Sequence, residues 1–294
     1  MQNTYQELAT LLASDPGRRR IPALACPEAL AGAAKALARA RRVALFSGFY
    51  IGQAAAWETD GPLGTLVLAA TLSQLNIEPI IFTDEGAVDI FAAGMQALDI
   101  QTPLLGFAAG VAPADEHLLR LQPDAIIAIE RCGQARDGKY YNASGLDVAA
   151  HVAHFDPLFA AAKSQGIPSI AIGDGGNEIG FGACLPEVEQ LLGPRKQIAC
   201  VTPVDYLIAC GVSNWGGYAL AALIAWERRS HLLIDQAMLI DTLEQIVAAG
   251  AIDGLSGRNT ATVDGLPLTI ELDMFRKLTS VLPSRTTHVV GETN

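Results

Sequence analysis

Short, wholly apolar runs recur from residue 43 onward, separated by stretches of helical periodicity. Val43-Ala44-Leu45-Phe46, Pro79-Ile80-Ile81-Phe82-Thr83, Pro103-Leu104-Leu105-Gly106-Phe107, Ala125-Ile126-Ile127-Ala128-Ile129, residues 167–172 and Tyr206-Leu207-Ile208-Ala209 read as strands. Strands that are apolar throughout, not at every second position, are buried on both faces, as in parallel sheets. Residues 62–75, 86–98, 114–121, 146–165 and 216–226 read as the intervening helices. This alternation predicts an α/β fold: an open, mostly parallel, doubly wound sheet of about six strands. A closed eight-unit barrel is the alternative, and the strand count falls short of it.

Residues 1–40 read as helical, with Tyr5, Leu8, Leu11 and Leu12 on one face and an alanine-rich run from 28 to 40. Beyond Glu227 the pattern is again mostly helical, at 235–249 and 272–282. No repeat or flexible linker divides the chain. The expectation is one α/β domain over 1–294, with a helical segment at 1–40, a core at 41–226 and a helical segment at 227–294. The stretch 206–226 approaches the ~20 residues of a membrane span. Asn214 and three glycines interrupt it, so it reads as a strand, a loop and a helix.

Half of the 294 residues are apolar and 17% are charged, so a large core can form. The net charge of −11 argues against a nucleic-acid or anionic-membrane surface. The five cysteines are scattered without a C-x-x-C pair, which fits reduced thiols and a cytoplasmic setting. The first twenty residues contain no apolar signal core. The expected partner is a small molecule, with a homo-oligomer as a further expectation.

Open α/β sheets bind ligands at the carboxyl ends of their strands, so the residues after each strand are the site candidates. They include Ser47-Gly48-Phe49, Glu58-Thr59-Asp60-Gly61-Pro62, Thr83-Asp84-Glu85, Glu130-Arg131 and Ser213-Asn214-Trp215. The densest is Gly173-Asp174-Gly175-Gly176-Asn177-Glu178-Ile179-Gly180-Phe181-Gly182. Glycines there let a ligand approach the backbone closely. Turn chemistry alone accounts for Asp174 and Asn177 but not for Glu178. The oxygens suit a hard divalent cation such as Mg or Mn; alternatively, the loop amides form an anion nest. Asp60, Asp84 and Asp174 are the candidate cation ligands, with a helix cap as the plain role of Asp60. Glu178, Glu130 and Asp174 are the candidate catalytic carboxylates. Arg131, Asn142, Asn177, Ser213, Asn214, Gly175 and Gly176 are the candidate substrate contacts. A solvated helix face is the plain reading of His151 and His154. The chain has no G-x-G-x-x-G, phosphate-loop or G-x-S-x-G motif.

Glu58-Thr59-Asp60-Gly61-Pro62, Thr83-Asp84, Glu130-Arg131-Cys132-Gly133 with Asp137-Gly138 and Tyr141-Asn142, the run from Gly173 to Gly180, and Ser213-Asn214-Trp215-Gly216 together resemble the D-glutamate cyclase family, in particular the domain at the C-terminus of the long animal enzymes. The resemblance spans roughly residues 43 to 226. It implies conversion of D-glutamate to 5-oxo-D-proline and water, by attack of the amine on the γ-carboxyl. The family pattern places a basic residue after Asn142, where this chain has Ala143-Ser144, and a Met where it has Phe181. The competing functions are a non-catalytic module binding a small acidic metabolite or nucleotide, and an enzyme acting on a phosphorylated small molecule.

Overall fold

The computed structural model describes residues 2–114 and 120–282. Six parallel strands form the sheet: β1 (Arg42–Ser47), β4 (Glu78–Asp84), β5 (Leu104–Phe107), β6 (Ala125–Ile129), β7 (Ser169–Gly173) and β8 (Tyr206–Ala209). Their spatial order is β5-β4-β1-β6-β7-β8, open at both edges, so the barrel alternative is excluded. The chain builds outward from β1 through β4 to β5, then returns to β6 on the other flank. That reversal leaves a crevice where β1 and β6 end, at the register pair Ser47 and Ile129. Two hairpins lie outside the sheet: β2 (Tyr50–Ile51) with β3 (Ala56–Trp57), and β9 (Thr262–Val263) with β10 (Leu266–Pro267).

The strand side chains divide by alternation, as a pleated strand dictates. Val43, Leu45, Ile81, Ile127, Ile170 and Ile172 join one core. It includes residues of α1 (Gln2–Leu12), α2 (Pro27–Arg39), α3 (Pro62–Gln74), α4 (Val88–Ala97), α7 (Ser213–Glu227), α8 (Gln236–Ala248) and α9 (Leu268–Ser280). Ala44, Phe46, Ile80, Phe82, Ile126 and Ala128 face a thinner layer built largely on α5 (Asp156–Ser164). The remaining described helix, α6 (Leu185–Leu192), packs with Phe181 and Ile21 in a smaller cluster.

Helices α3 and α7 are buried along nearly their whole lengths. Their close approach depends on glycine: a Cβ on Gly217 would lie 2.7 Å from the Gly64 carbonyl oxygen, and one on Gly64 would lie 2.7 Å from the Asn214 Cα. This contact brings the two helix N-termini side by side below the crevice.

Two expectations need correction or restriction. Residues 146–155 are not helical beyond a 3-10 turn at Ala149–His151. Their backbone is committed elsewhere: Val148 N–H donates to Tyr140 O and Ala153 N–H to Asp84 Oδ1. The expected helix at 114–121 lies mostly outside the described residues. The apolar stretch 206–226 resolves into β8 and α7. No described helix is long and apolar enough to cross a membrane.

Candidate functional site

The glycine-rich segment follows β7, and its amides already hold a carboxyl group, one from the chain itself. Glu178 Oε1 accepts from Gly175 N–H at 2.7 Å and from Asp174 N–H at 3.2 Å. The nest reading is therefore right in geometry, but its occupant is Glu178, which weakens the phosphate alternative. Gly175 permits this closure: a Cβ there would stand 3.0 Å from Glu178 Oε1. Glu178 Oε2 is buried with no partner.

Across the crevice, Glu130 follows β6 with φ +44°, a left-handed conformation that non-glycine residues seldom adopt. Gly61 (φ +91°) makes room for it, because a Cβ there would fall 2.5 Å from the Glu130 Cβ. Glu130 Oε2 accepts from Ser213 Oγ at 2.5 Å. Asp60 caps α7 instead of its own helix, accepting from Ser213 N–H at 2.9 Å and Asn214 N–H at 2.8 Å. One oxygen from each of Asp60, Glu130 and Asp174 lies within 4.8 Å of the others.

A cavity of about 750 Å³ opens above this group. Its lining includes Glu58, Glu130, Asp174, Glu178 and Asp264. Among the described lining residues, Arg19 and Arg195 are the cations. Arg19 Nη1 pairs with Asp174 Oδ1, and its Nη2 lies 3.0 Å from Asp264 Oδ1. The other oxygens, Asp174 Oδ2 and Asp264 Oδ2, are buried without partners. Burial pushes the Glu58, Asp60, Glu130 and Asp174 carboxyls well above the usual range, and neighbouring carboxylates push them further. Burial alone would lower the Arg19 guanidinium; its carboxylate neighbours, Asp174 foremost, reverse this and hold it above its ordinary value.

So many carboxylates cannot all stay ionised in one buried place unless positive charge joins them. The converging oxygens of Asp60, Glu130 and Asp174 form an all-oxygen donor set, with Asp174 Oδ2 unpartnered, which fits a hard divalent cation such as Mg or Mn.

Arg131 does not reach the cavity, so the expected substrate contact is corrected. It is fully buried and forks onto Asp84, Nη1 to Oδ2 at 2.5 Å and Nη2 to Oδ1 at 3.0 Å. It also donates to the Gly48 and Ala153 carbonyls and lies over the Phe155 ring at 4.5 Å. Asp84 is saturated by Arg131, Ala153 N–H and Trp57 Nε1, and so is withdrawn as a cation ligand. Glu130 stands with Asp60 and Asp174 in its place. Ser213 and Asn214 lie beneath the cavity and position other residues. Gly176 faces Val188 and Ile21, away from the cavity.

Asn142 and Asn177 do line the cavity. The Asn142 amide binds Gln53 and accepts from the Ser144 and Leu146 N–H groups, while Asn177 Nδ2 donates to Tyr141 O at 2.8 Å. Both shape the rim. Arg195 donates to the Ala143 carbonyl at 3.1 Å, so a distant arginine stands beside the position where the family pattern has a basic residue. His151 stacks on Tyr50 and His154 on Tyr140.

The sequence reading missed Arg19, Asp264 and the 253–257 loop. Asp253 folds that loop, accepting from Leu255, Ser256 and Gly265 N–H groups. A bridge between Glu58 and Ile252 then carries it to the cavity wall. The available signals were a basic triplet, Arg18-Arg19-Arg20, in an acidic chain, and the turn pairs Asp253-Gly254 and Asp264-Gly265.

The family model for the C-terminal part of D-glutamate cyclase-like proteins matches residues 8–279. The chain belongs to the D-glutamate cyclase-like family. A human relative, "D-glutamate cyclase, mitochondrial", is 32% identical over 319 aligned positions, covering 94% of this chain and 51% of the human one. The chain therefore spans about half the length of that cyclase. The matched region contains Arg19, Asp174 and Asp264, so both ends of the cavity wall fall inside the family domain.

Proposed function

We propose that this protein converts D-glutamate to 5-oxo-D-proline and water. The observation that carries the reading is the set of unpartnered buried oxygens, Glu178 Oε2, Asp174 Oδ2 and Asp264 Oδ2, in an acidic cavity of a cyclase-like chain. Buried polar atoms are normally satisfied, so such orphans mark places for a ligand. An ammonium group and a divalent cation both suit them.

Cyclisation joins the amine nitrogen to the γ-carboxyl carbon and expels one γ-oxygen as water. The ammonium nitrogen gives up two protons, and the departing oxygen acquires two. No net proton is consumed, so one well-placed carboxylate can relay both. Glu178 suits this role: its Oε1 is fixed by two amides and its Oε2 is free. Asp60, Glu130 and Asp174 would hold a divalent cation, Mg or Mn, which when bound supplies polarisation of the γ-carboxyl. Folding the substrate into a five-membered approach supplies much of the remaining advantage, about 7–11 kcal/mol for well-oriented intramolecular reactions.

Purified protein incubated with D-glutamate and Mg or Mn is expected to form 5-oxo-D-proline, detected by chiral chromatography. Glu178→Gln is expected to slow this by about 100-fold or more, within the range of acid–base contributions, with an unchanged melting temperature. Absence of product with every divalent cation tried would overturn the reading.

A further inference from the structure

We propose that Arg19 anchors the α-carboxylate of the substrate, as a specificity residue brought to the site by the segment before the sheet. The inference rests on the proposed reading of the cavity as an amino-acid site.

Arg18, Arg19 and Arg20 are consecutive, yet only the middle one turns inward. Arg18 and Arg20 are exposed, whereas the Arg19 side chain is 24% exposed and lines the cavity. The backbone is held for this purpose. Arg18 (φ +52°) and Arg20 (φ +71°) both adopt left-handed conformations, which cost energy without a compensating contact. The Asp15 carboxylate supplies one, accepting the Arg19 and Arg20 N–H groups at 2.8 Å each.

The guanidinium is also oriented. Asp174 binds Nη1 and Asp264 binds Nη2, so its plane is fixed from two directions. A guanidinium carries five N–H donors in a rigid fork, and these two contacts leave three for a ligand. A planar, preorganised fork suits a carboxylate. Charge points the same way. A substrate with two carboxylates must enter a cavity lined by acids, where Arg19 is the deep cation and Arg195 the exposed one among the described residues. Arg131, the other candidate, is committed to Asp84.

Arg19 also neutralises Asp174 and Asp264, so the test must separate anchoring from charge balance. The readout is the preference for D-glutamate over its α-amide, which keeps the shape, amine and γ-carboxylate. Titration calorimetry with the full chain in one Mg buffer would compare wild type, Arg19→Lys and Arg19→Met. Arg19→Lys keeps the charge beside both aspartates and guards against a folding failure. Wild type is expected to prefer D-glutamate by about tenfold or more, the scale of a charge-assisted hydrogen bond. Arg19→Lys is expected to reduce that preference and Arg19→Met to abolish it. Equal weakening of both ligands, or a preference that survives in Arg19→Met, would overturn the anchor while leaving the cyclase reading intact. Failure of wild type to bind either compound would instead overturn the cyclase reading, and the anchor with it.

Discussion

Asp60 and Asn214 cap each other's helices. Asp60 accepts the Asn214 N–H at 2.8 Å at the start of α7, and Asn214 Oδ1 accepts Gly61 N–H at 2.9 Å and Gly64 N–H at 2.7 Å at the start of α3. Helix N-termini leave N–H groups without internal partners, and here two buried termini satisfy one another. The site floor is thereby locked to the α3–α7 contact.

Removing one member strands buried donors. Asn214→Ala should destabilise the protein by ~1–3 kcal/mol for each stranded N–H. Asp60→Ala should act similarly, and the double variant should cost more than the two single variants together, because Gly61 N–H is accepted by both side chains and loses its last partner only when both are removed. Urea denaturation of the four proteins checks this; strict additivity would contradict the coupling.

The acidic cluster reverses the usual acid sensitivity. Its carboxyls are raised by burial, so between their ordinary value near 4 and their folded value the native state binds more protons than the unfolded chain. Stability then falls as pH rises through that window. Without divalent cation, calorimetry should show a higher melting temperature at pH 5.5 than at pH 8. Mg or Mn at pH 8 should recover part of the difference and release protons to the buffer. A melting temperature that rises between these pH values would refute the account.

Glu271 on α9 offers a separate titration. Burial raises its carboxyl from 4.5 to about 7, although Trp215 Nε1 and Tyr218 Oη donate to it at 2.8 and 2.7 Å. Its stabilising effect is greatest below 4.5 and declines towards about 7, by at most about 1.4 kcal/mol per pH unit. Glu271→Gln should flatten this part of the stability profile, staying close to wild type below 4.5 and exceeding it near pH 8, because the amide cannot ionise. The fluorescence of the buried Trp215 should lose its pH dependence near 7 in the same variant.

Gly254 tests the wall supplied by the 253–257 loop. An added Cβ would collide with Glu58 Oε2 and stand 2.8 Å from the Glu58 carboxyl carbon, so the carboxyl group must shift. Gly254→Ala should reduce turnover of D-glutamate by about tenfold or more while leaving the melting temperature within a few degrees. Unchanged kinetics would remove Glu58 from the working site.

The sheet was legible because each of its strands is a short apolar run, and continuous burial leaves a pattern that sequence alone displays. The meeting of Asp60, Glu130, Asp174 and Glu178 at one edge was legible because strand carboxyl ends converge there in this architecture. Arg131 misled because a charged residue beside a catalytic candidate looks identical whether it faces a cavity or, as here, is enclosed with Asp84 under Phe155. The helix expected over 146–165 begins only at Asp156, because the stretch before it is tied by hydrogen bonds to Tyr140 and Asp84, which local periodicity does not register. Arg19 and Asp264 were invisible for the converse reason: each lies in a turn outside the α/β alternation, and only tertiary contact gives either a role.

That contact makes the site depend on both ends of the fold. Arg19, Asp174 and Asp264 meet from near the start, the middle and near the end of the described chain. Contacts of such long sequence separation carry a large loop-closure entropy. Freeing either the segment around Arg19 or the turn around Asp264 would therefore open the ion-paired wall without touching a strand of the sheet.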